Sequence, residues 1–161
     1  MTKSLKISKI SNNLFLKNTI FISFILFLID ILTKYYFTNK SYFTNSLIYI
    51  KYSQNFGSAF SMFSSLNYYN YLIVILSFLV LYFLFKNIDE FKNHKLTKIS
   101  FYLLIAGIFG NLFDRIFFGF VRDFIGLKYL FIFNIADVYL TLAVMIFIYY
   151  EFKNSTLFSS K

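Results

Sequence analysis

Residues 19–37 read TIFISFILFLIDILTKYYF, an apolar run interrupted by one aspartate, Asp30, and one lysine, Lys34. Its length matches the ~20 residues that an α-helix needs to cross ~30 Å of hydrocarbon. Three further apolar runs of similar length follow, at residues 68–85, 96–113 and 136–150. The sequence therefore predicts four transmembrane helices within a single integral membrane domain, 1–161.

The composition favours a membrane environment and excludes several kinds of functional site. Of the 161 residues, 58% are hydrophobic, and the mean hydropathy is +0.64. The absence of cysteine excludes disulfides, thiolate metal sites and a cysteine nucleophile. The single histidine, His94, lies among basic and polar residues, as expected for a solvated loop. The net charge of +9 is spread between the apolar runs, so no nucleic-acid partner is expected.

The distribution of Lys and Arg predicts the orientation of the chain. Six cations fall in the two loops assigned to the outside: Lys34, Lys40, Lys51, Arg115, Arg122 and Lys128. Ten fall on the other side: Lys3, Lys6, Lys9, Lys17, Lys86, Lys92, Lys95, Lys98, Lys153 and Lys161. Cytoplasmic segments carry the excess of positive charge, so both termini are expected in the cytoplasm.

The two outer loops contain segments typical of short strands. Residues 47–54 and 121–133 combine β-branched and aromatic residues with polar alternation. We therefore expect an all-α membrane protein whose small β-rich outer loops form a cradle at the membrane face.

Four of the seven acidic residues lie within or against apolar segments: Asp30, Asp114, Asp123 and Asp137. A charge at the centre of a membrane helix costs on the order of 2.5–3.5 kcal/mol, so such residues need a reason. The predicted topology places all four at the outer face, which favours one shared polar site.

Local spacing gives several of these residues two interpretations. Asp30 and Lys34 are four apart, so they can neutralise each other while Lys34 extends to the interface, or they can take part in catalysis. Arg115, close to Asn111 and Asp114, can bind a carbonyl or carboxylate of a ligand, or pair with Asp114.

The fourth helix and the glycines also leave alternatives open. Asn134 and Asp137 share a helix face if the helix includes Asn134, but Asn134 is also a suitable helix cap. Gly57, Gly107 and Gly110 permit tight turns or close approach of helices.

Paired carboxylates can share one proton, so that one activates water while the other protonates a carbonyl oxygen. Aspartic hydrolysis is therefore one candidate function. A second is a small transporter or channel subunit, with Asp30, Asp114 and Asp137 forming a proton or cation path. A third is a noncatalytic membrane assembly factor in which the polar residues hold helices together. The inner halves of the helices lack acidic residues, which counts against conduction.

Five short motifs together resemble those of the bacterial lipoprotein signal peptidase, or signal peptidase II, family. They are DILTK at 30–34, NFGSAF at 55–60, GNLFDR at 110–115, VRDFI at 121–125 and FNIAD at 133–137. The sequence departs from the family pattern at Ile108 and Phe109, where small residues are usual, and lacks a tryptophan and a proline before Phe133.

The resemblance implies that Asp123 and Asp137 form a catalytic pair. The other matched residues would shape the pocket and hold substrate: Asp30, Lys34, Asn55, Gly57, Asn111, Asp114, Arg115 and Asn134. The family removes signal peptides from diacylglyceryl prolipoproteins in the bacterial cytoplasmic membrane. Accordingly, we expect these precursors and membrane lipid as partners, a monomeric enzyme, an active site at the outer face, and neither metal nor cofactor.

Overall fold

A computed structural model describes residues 3–42, 47–57 and 68–155, with side chains from residue 13 onward. These residues form five α-helices: α1 (Lys3–Phe37), α2 (Tyr69–Lys86), α3 (Ile88–Phe91), α4 (Lys95–Phe118) and α5 (Ile135–Asn154). Within the described ranges, four helices are long and apolar enough to cross a membrane, and α3 is a single short turn. This confirms the four predicted spans.

Two helices are longer than their apolar runs. The first begins at Lys3, although its membrane-crossing part is Asn13–Phe37. Polar and basic residues continue a helix readily because its backbone hydrogen bonds do not depend on an apolar face. The third span continues to Phe118 and ends at Gly119, whose positive φ of 79° suits a helix C-terminus.

The central helix is α4, which packs against α1, α2 and α5. Gly107 permits its close approach to α5, because a Cβ there would lie 2.8 Å from the Ala136 carbonyl oxygen. Gly110 similarly brings α4 against Asp30 of α1, so the expected close helix approach is confirmed at both glycines. Large apolar side chains cover the outer surfaces of the other spans, as expected for helices that face lipid.

Aromatic packing holds the end of the bundle remote from the aspartates. Phe101 of α4 is fully buried, with ring centroids 5.6 Å from Phe15 and 4.8 Å from Phe91. Ile108 packs against the same core, whereas Phe109 lines an apolar cavity of about 330 Å³ beside α1. The two bulky residues that depart from the family pattern thus pack among apolar side chains.

A four-stranded antiparallel sheet lies at the other end. Its strands are β1 (Ser41–Tyr42), β2 (Ile48–Asn55), β3 (Val121–Leu127) and β4 (Ile132–Phe133), in that order. Strands are therefore confirmed in both predicted segments. The register pairs Ser53 with Asp123, which carries one of the aspartates into the sheet. Buried residues from Val121 to Phe124 hold β3 against the helices.

Candidate active site

Asp123 of β3 is buried and bonded to two asparagine amides. Its Oδ2 accepts a hydrogen bond from Asn55 Nδ2 at 2.9 Å, and its Oδ1 accepts one from Asn134 Nδ2 at 2.6 Å. Asn55 lies opposite Val121, two residues before Asp123, so the sheet places both side chains on one face. Two strands and the segment before α5 therefore position this carboxylate.

Asn134 caps α5 and also joins the two aspartates. Its Oδ1 accepts from the Asp137 backbone N–H at 3.0 Å, and its own N–H donates to Asp137 Oδ2 at 3.2 Å. This reciprocal pair is a capping box, which satisfies two backbone N–H groups at the helix start. Asn134 precedes α5, so the prediction that Asn134 and Asp137 share a face of that helix is wrong. The alternative prediction, that Asn134 caps the helix, is confirmed. Because its amide also bonds Asp123, one residue contacts both aspartates.

Asp137 is held from a second side by Asn111 of α4. Asn111 Nδ2 donates to Asp137 Oδ1 at 2.8 Å, and Asn111 Oδ1 accepts from Asn134 Nδ2 at 3.1 Å. Both oxygens of each aspartate thus accept a hydrogen bond within the site. The bonds fix the orientation of the two carboxyl groups before any substrate is present.

Lys34 is fully buried beneath this pair. Its Nζ lies 2.8 Å from Asp30 Oδ2 and 3.4 Å from Asp114 Oδ2, and donates to Asn111 Oδ1 at 3.1 Å. The predicted pairing of Lys34 with Asp30 is confirmed, but its extension to the interface is wrong, because these groups and the Gly110 carbonyl oxygen, at 3.3 Å, hold the ammonium inside the protein. Asp30 also accepts from the Ala136 backbone N–H at 2.8 Å, which places a negative charge at the N-terminus of α5.

Asp114 pairs with Arg122, so the predicted alternative of an Asp114–Arg115 pair is wrong. Arg122 NH2 and Nε lie 2.7 and 3.2 Å from Asp114 Oδ1. Arg115 instead donates to the carbonyl oxygen of Gly57 at 3.1 Å, and Gly57 N–H donates to Asn55 Oδ1 at 3.0 Å. Arg115 thus binds a carbonyl oxygen of the chain itself, and its binding of a ligand carbonyl stays a prediction.

Sequence reasoning missed Arg122 as a member of the site. Its partner Asp114 lies eight residues away, across the turn between α4 and β3, outside the spacing that marks pairs within one helix. A usable signal was present, because Arg122 is a cation directly beside Asp123 in a segment predicted to form a strand, whose neighbours in space come from other parts of the chain.

The pKa of Asp123 is raised to about 7, first by burial and second by the negative charge of Asp137. Hydrogen bonds from Asn55 and Asn134 and the charge of Lys34 oppose this shift. The carboxyl group of Asp123 is therefore suited to exchange a proton near neutral pH.

Two clefts adjoin the aspartates and share the residues Phe131 and Ile132. A cleft of about 310 Å³ is lined by Asp137, Asn111 and Arg115 together with apolar side chains. The other, of about 360 Å³, is lined by Asp123. The aspartates thus border two spaces on either side of the segment that leads into α5.

All ten site residues predicted from the sequence lie in one connected network of hydrogen bonds and ion pairs: Asp30, Lys34, Asn55, Gly57, Asn111, Asp114, Arg115, Asp123, Asn134 and Asp137. The last three residues of the NFGSAF motif lie outside the described residues.

Comparison with protein families gives a match to signal peptidase (SPase) II over residues 22–153. The chain belongs to the signal peptidase II family. The family resemblance drawn from the motifs is therefore confirmed.

Individual relatives agree with this assignment. The lipoprotein signal peptidase of Wigglesworthia glossinidia brevipalpis is 38% identical over 108 residues, 64% of this chain and 70% of that protein. That of Buchnera aphidicola subsp. Schizaphis graminum is 38% identical over 107 residues, 63% and 69% of the two chains. A bacterial membrane enzyme solved by the in meso method at 2.3 Å superposes with a TM-score of 0.74 and 27% identity, covering 90% of this chain and 93% of that chain.

Signal peptidase II membership makes this chain a multi-pass bacterial membrane protein and a peptidase. Of the three functions that the sequence left open, the family supports the peptidase over the transporter subunit and the assembly factor. The five signal peptidase II motifs, which lie between residues 30 and 137, all contribute residues to the network around Asp123 and Asp137.

Proposed function

We propose that this chain is an aspartic endopeptidase that removes signal peptides from diacylglyceryl prolipoproteins, with Asp123 and Asp137 as the catalytic pair. The observation that carries the proposal is the double role of Asn134, which bonds Asp123 through its side chain and Asp137 through its capping box. The experiment that tests it is release of the signal peptide from such a precursor by the purified protein in detergent.

In the proposed reaction, Asp137 takes a proton from a water molecule as its oxygen attacks the carbonyl carbon of the scissile bond. Asp123 gives its proton to the carbonyl oxygen, so the tetrahedral intermediate forms without a full negative charge on that oxygen. Collapse of the intermediate breaks the C–N bond, and the proton gained by Asp137 passes to the leaving amine. As the C–N bond breaks, one hydroxyl group of the intermediate returns its proton to Asp123, so the products are a carboxylic acid and an amine and the pair regains its single proton.

The polar residues around the pair would hold the substrate. Arg115 and Asn111 line the cleft beside Asp137, where a guanidinium and an amide can donate to peptide carbonyls. Asn55 and Asn134 hold Asp123 in place, and Gly57 keeps Arg115 oriented through its carbonyl. Neither the proposed acid nor the proposed base requires a metal or cofactor, and the substrate's lipid would remain in the bilayer beside the site.

The proposed topology places the sheet outside the cytoplasm and both termini inside, and it rests on the ten-to-six division of cations. Tyr129, at the exposed turn between β3 and β4, and His94, at the exposed start of α4, serve as reporters. In this cysteine-free chain, a membrane-impermeant maleimide applied to whole cells should label Tyr129→Cys and not His94→Cys. Permeabilised cells provide the control in which both are labelled, and labelling of position 94 in intact cells contradicts the topology.

Activity should fall as the pH rises above neutrality. With its pKa raised to about 7, Asp123 loses its proton in this range, and the pair then carries two negative charges and no acid. We expect kcat/KM for the lipidated precursor to show a falling limb with an apparent pKa near 7, approaching a tenfold loss per pH unit well above it. The measurement covers pH 5 to 9 with thermal unfolding followed in parallel, and a rate that stays constant from pH 6 to 9 contradicts the assignment of Asp123 as the acid.

A further inference from the structure

Arg122 is a buried cation at the position that the V-x-D-F-I motif leaves open. Its side chain is 8% exposed, and its guanidinium lies 4.4 Å from the ring centre of Phe118. We propose that Arg122 is a positioning residue for the catalytic pair, anchoring β3 to α4 through Asp114 and completing a buried cluster of four charges. The inference rests on the proposed function, since it concerns the geometry of the same two aspartates.

The first step of the argument is mechanical. Asp114 accepts from the Arg122 side chain at 2.7 and 3.2 Å through Oδ1 and from the Arg122 backbone N–H at 2.9 Å through Oδ2. Two guanidinium donors converge on one carboxylate oxygen while the backbone N–H of the same residue holds the other, so Arg122 fixes the orientation of Asp114 in a way that a single ammonium could not. Arg122 is the residue directly before Asp123, so this anchor holds the backbone from which the proposed acid projects.

The second step concerns the other aspartate. Asp114 also contacts Lys34, Lys34 donates to Asn111, and Asn111 donates to Asp137 Oδ1. Arg122 therefore acts on Asp123 through the chain and on Asp137 through four successive polar contacts, the first of which is its own pair with Asp114. A displacement of Asp114 would therefore change the positions of both Asp123 and Asp137.

The third step is the charge balance. Asp30 and Asp114 bear two negative charges, Lys34 and Arg122 bear two positive ones, and all four side chains are buried. Without Arg122, one ammonium would serve two buried carboxylates, and an uncompensated charge inside a protein is unfavourable. Lys34 would then be drawn toward Asp114, which weakens its hydrogen bond to Asn111.

A net negative charge beside the pair would also favour its protonated form. The charged and titratable groups around Asp123, directly or through Lys34, are Asp137 of α5, Asp30 and Lys34 of α1, Asp114 and Arg115 of α4, and Arg122, Tyr49 and Tyr129 of the sheet and its turn. Loss of the Arg122 cation makes this environment more negative, so the falling limb of the pH profile moves to higher pH.

The experiment compares Arg122→Met, which keeps a long apolar side chain without charge, with Arg122→Lys, which keeps the charge but loses the separate N–H donors of the guanidinium. Lys153→Met, at the exposed far end of α5, is the matched control for loss of one cation. Cleavage of the lipidated precursor is measured from pH 5 to 9 and normalised to folded protein. For Arg122→Met we expect kcat to fall on the order of 10–100-fold with KM little changed, and the falling limb to move to higher pH.

Arg122→Lys should return the falling limb to the wild-type position while recovering only part of kcat. The inference is overturned if folded Arg122→Met has the kcat and pH profile of the wild type, or if activity falls only in proportion to folded protein. Should Arg122→Met not fold, Arg122→Lys decides: a reduced kcat with a wild-type pH limb supports the inference, and an unchanged kcat overturns it. An inactive wild type would instead refute the proposed function.

Discussion

Replacing Asp123 or Asp137 with asparagine will abolish signal-peptide release while leaving the chain folded and inserted in the membrane. Each substitution removes either the proposed acid or the proposed base, and a loss on the order of 10³-fold or more is expected for one member of such a unit. Because the two groups act together, the double variant should be scarcely worse than either single variant. The measurement is the rate of signal-peptide release from a lipidated precursor by equal amounts of folded enzyme.

The folded state should tolerate these changes. Asparagine at 123 keeps the shape of the carboxyl group but places an amide NH₂ where one of two donors, Asn55 or Asn134, now points. One buried amide donor is then left without an acceptor, at a cost of about 1–3 kcal/mol. Glu151→Gln, an exposed acid at the far end of α5, is the matched control and should retain full activity. Substantial activity in either aspartate variant would show that the residue concerned has another role.

A precursor that lacks the diacylglyceryl group will be cleaved far more slowly than the same precursor with it. The clefts beside Asp123 and Asp137 lie at the end of a bundle whose flanks are covered by lipid-facing side chains. A peptide bond reaches the pair only if it is held at that level, and a signal helix on one side with a lipid on the other holds it there. Correct placement alone is worth on the order of 10²-fold in rate.

Most of the acyl chain already lies in the bilayer before binding, so the lipid contributes through position more than through affinity. Burial from water would contribute about 0.8 kcal/mol for each CH₂, but that gain is realised when the precursor enters the membrane. We therefore expect the difference between the two precursors mainly in kcat. Equal rates would refute lipid-dependent placement and indicate a general membrane aspartic peptidase.

The spans and strands could be predicted because each is encoded locally. A run such as 19–37 has one stable arrangement in hydrocarbon, in which every backbone polar group is paired within a helix. The β-branched and aromatic segments around Asn55 and Asp123 likewise favour strands at a surface. The start of α1 at Lys3 could not be predicted from the apolar pattern, because that pattern does not indicate how far a helix continues beyond the membrane into water.

The spacing of residues in the sequence did not predict which side chains pair across different elements of the site. Spacing correctly pairs Lys34 with Asp30, but it also predicts that Lys34 extends to the interface, as long charged side chains near a helix end usually do. The acceptors that retain it, Asn111 and Asp114, come from another helix some eighty residues later. The same limit applied to Asp114, whose adjacent cation Arg115 is turned toward Gly57 while Arg122 reaches it across a turn. Spacing within a helix identifies neighbours on that helix but does not identify partners on other helices or strands.

The bond between Asp30 Oδ1 and the Ala136 backbone N–H joins residues 106 positions apart, and it has a consequence for biogenesis. The first helix supplies the acceptor that completes the start of α5, the helix that carries Asp137. A nascent chain that has inserted only α1 to α4 has Asp123 but no second aspartate and no Asn134 to orient it. Under the proposed function, proteolytic competence would therefore require the docking of α5 onto the earlier helices, which brings Asp137 and Asn134 to Asp123.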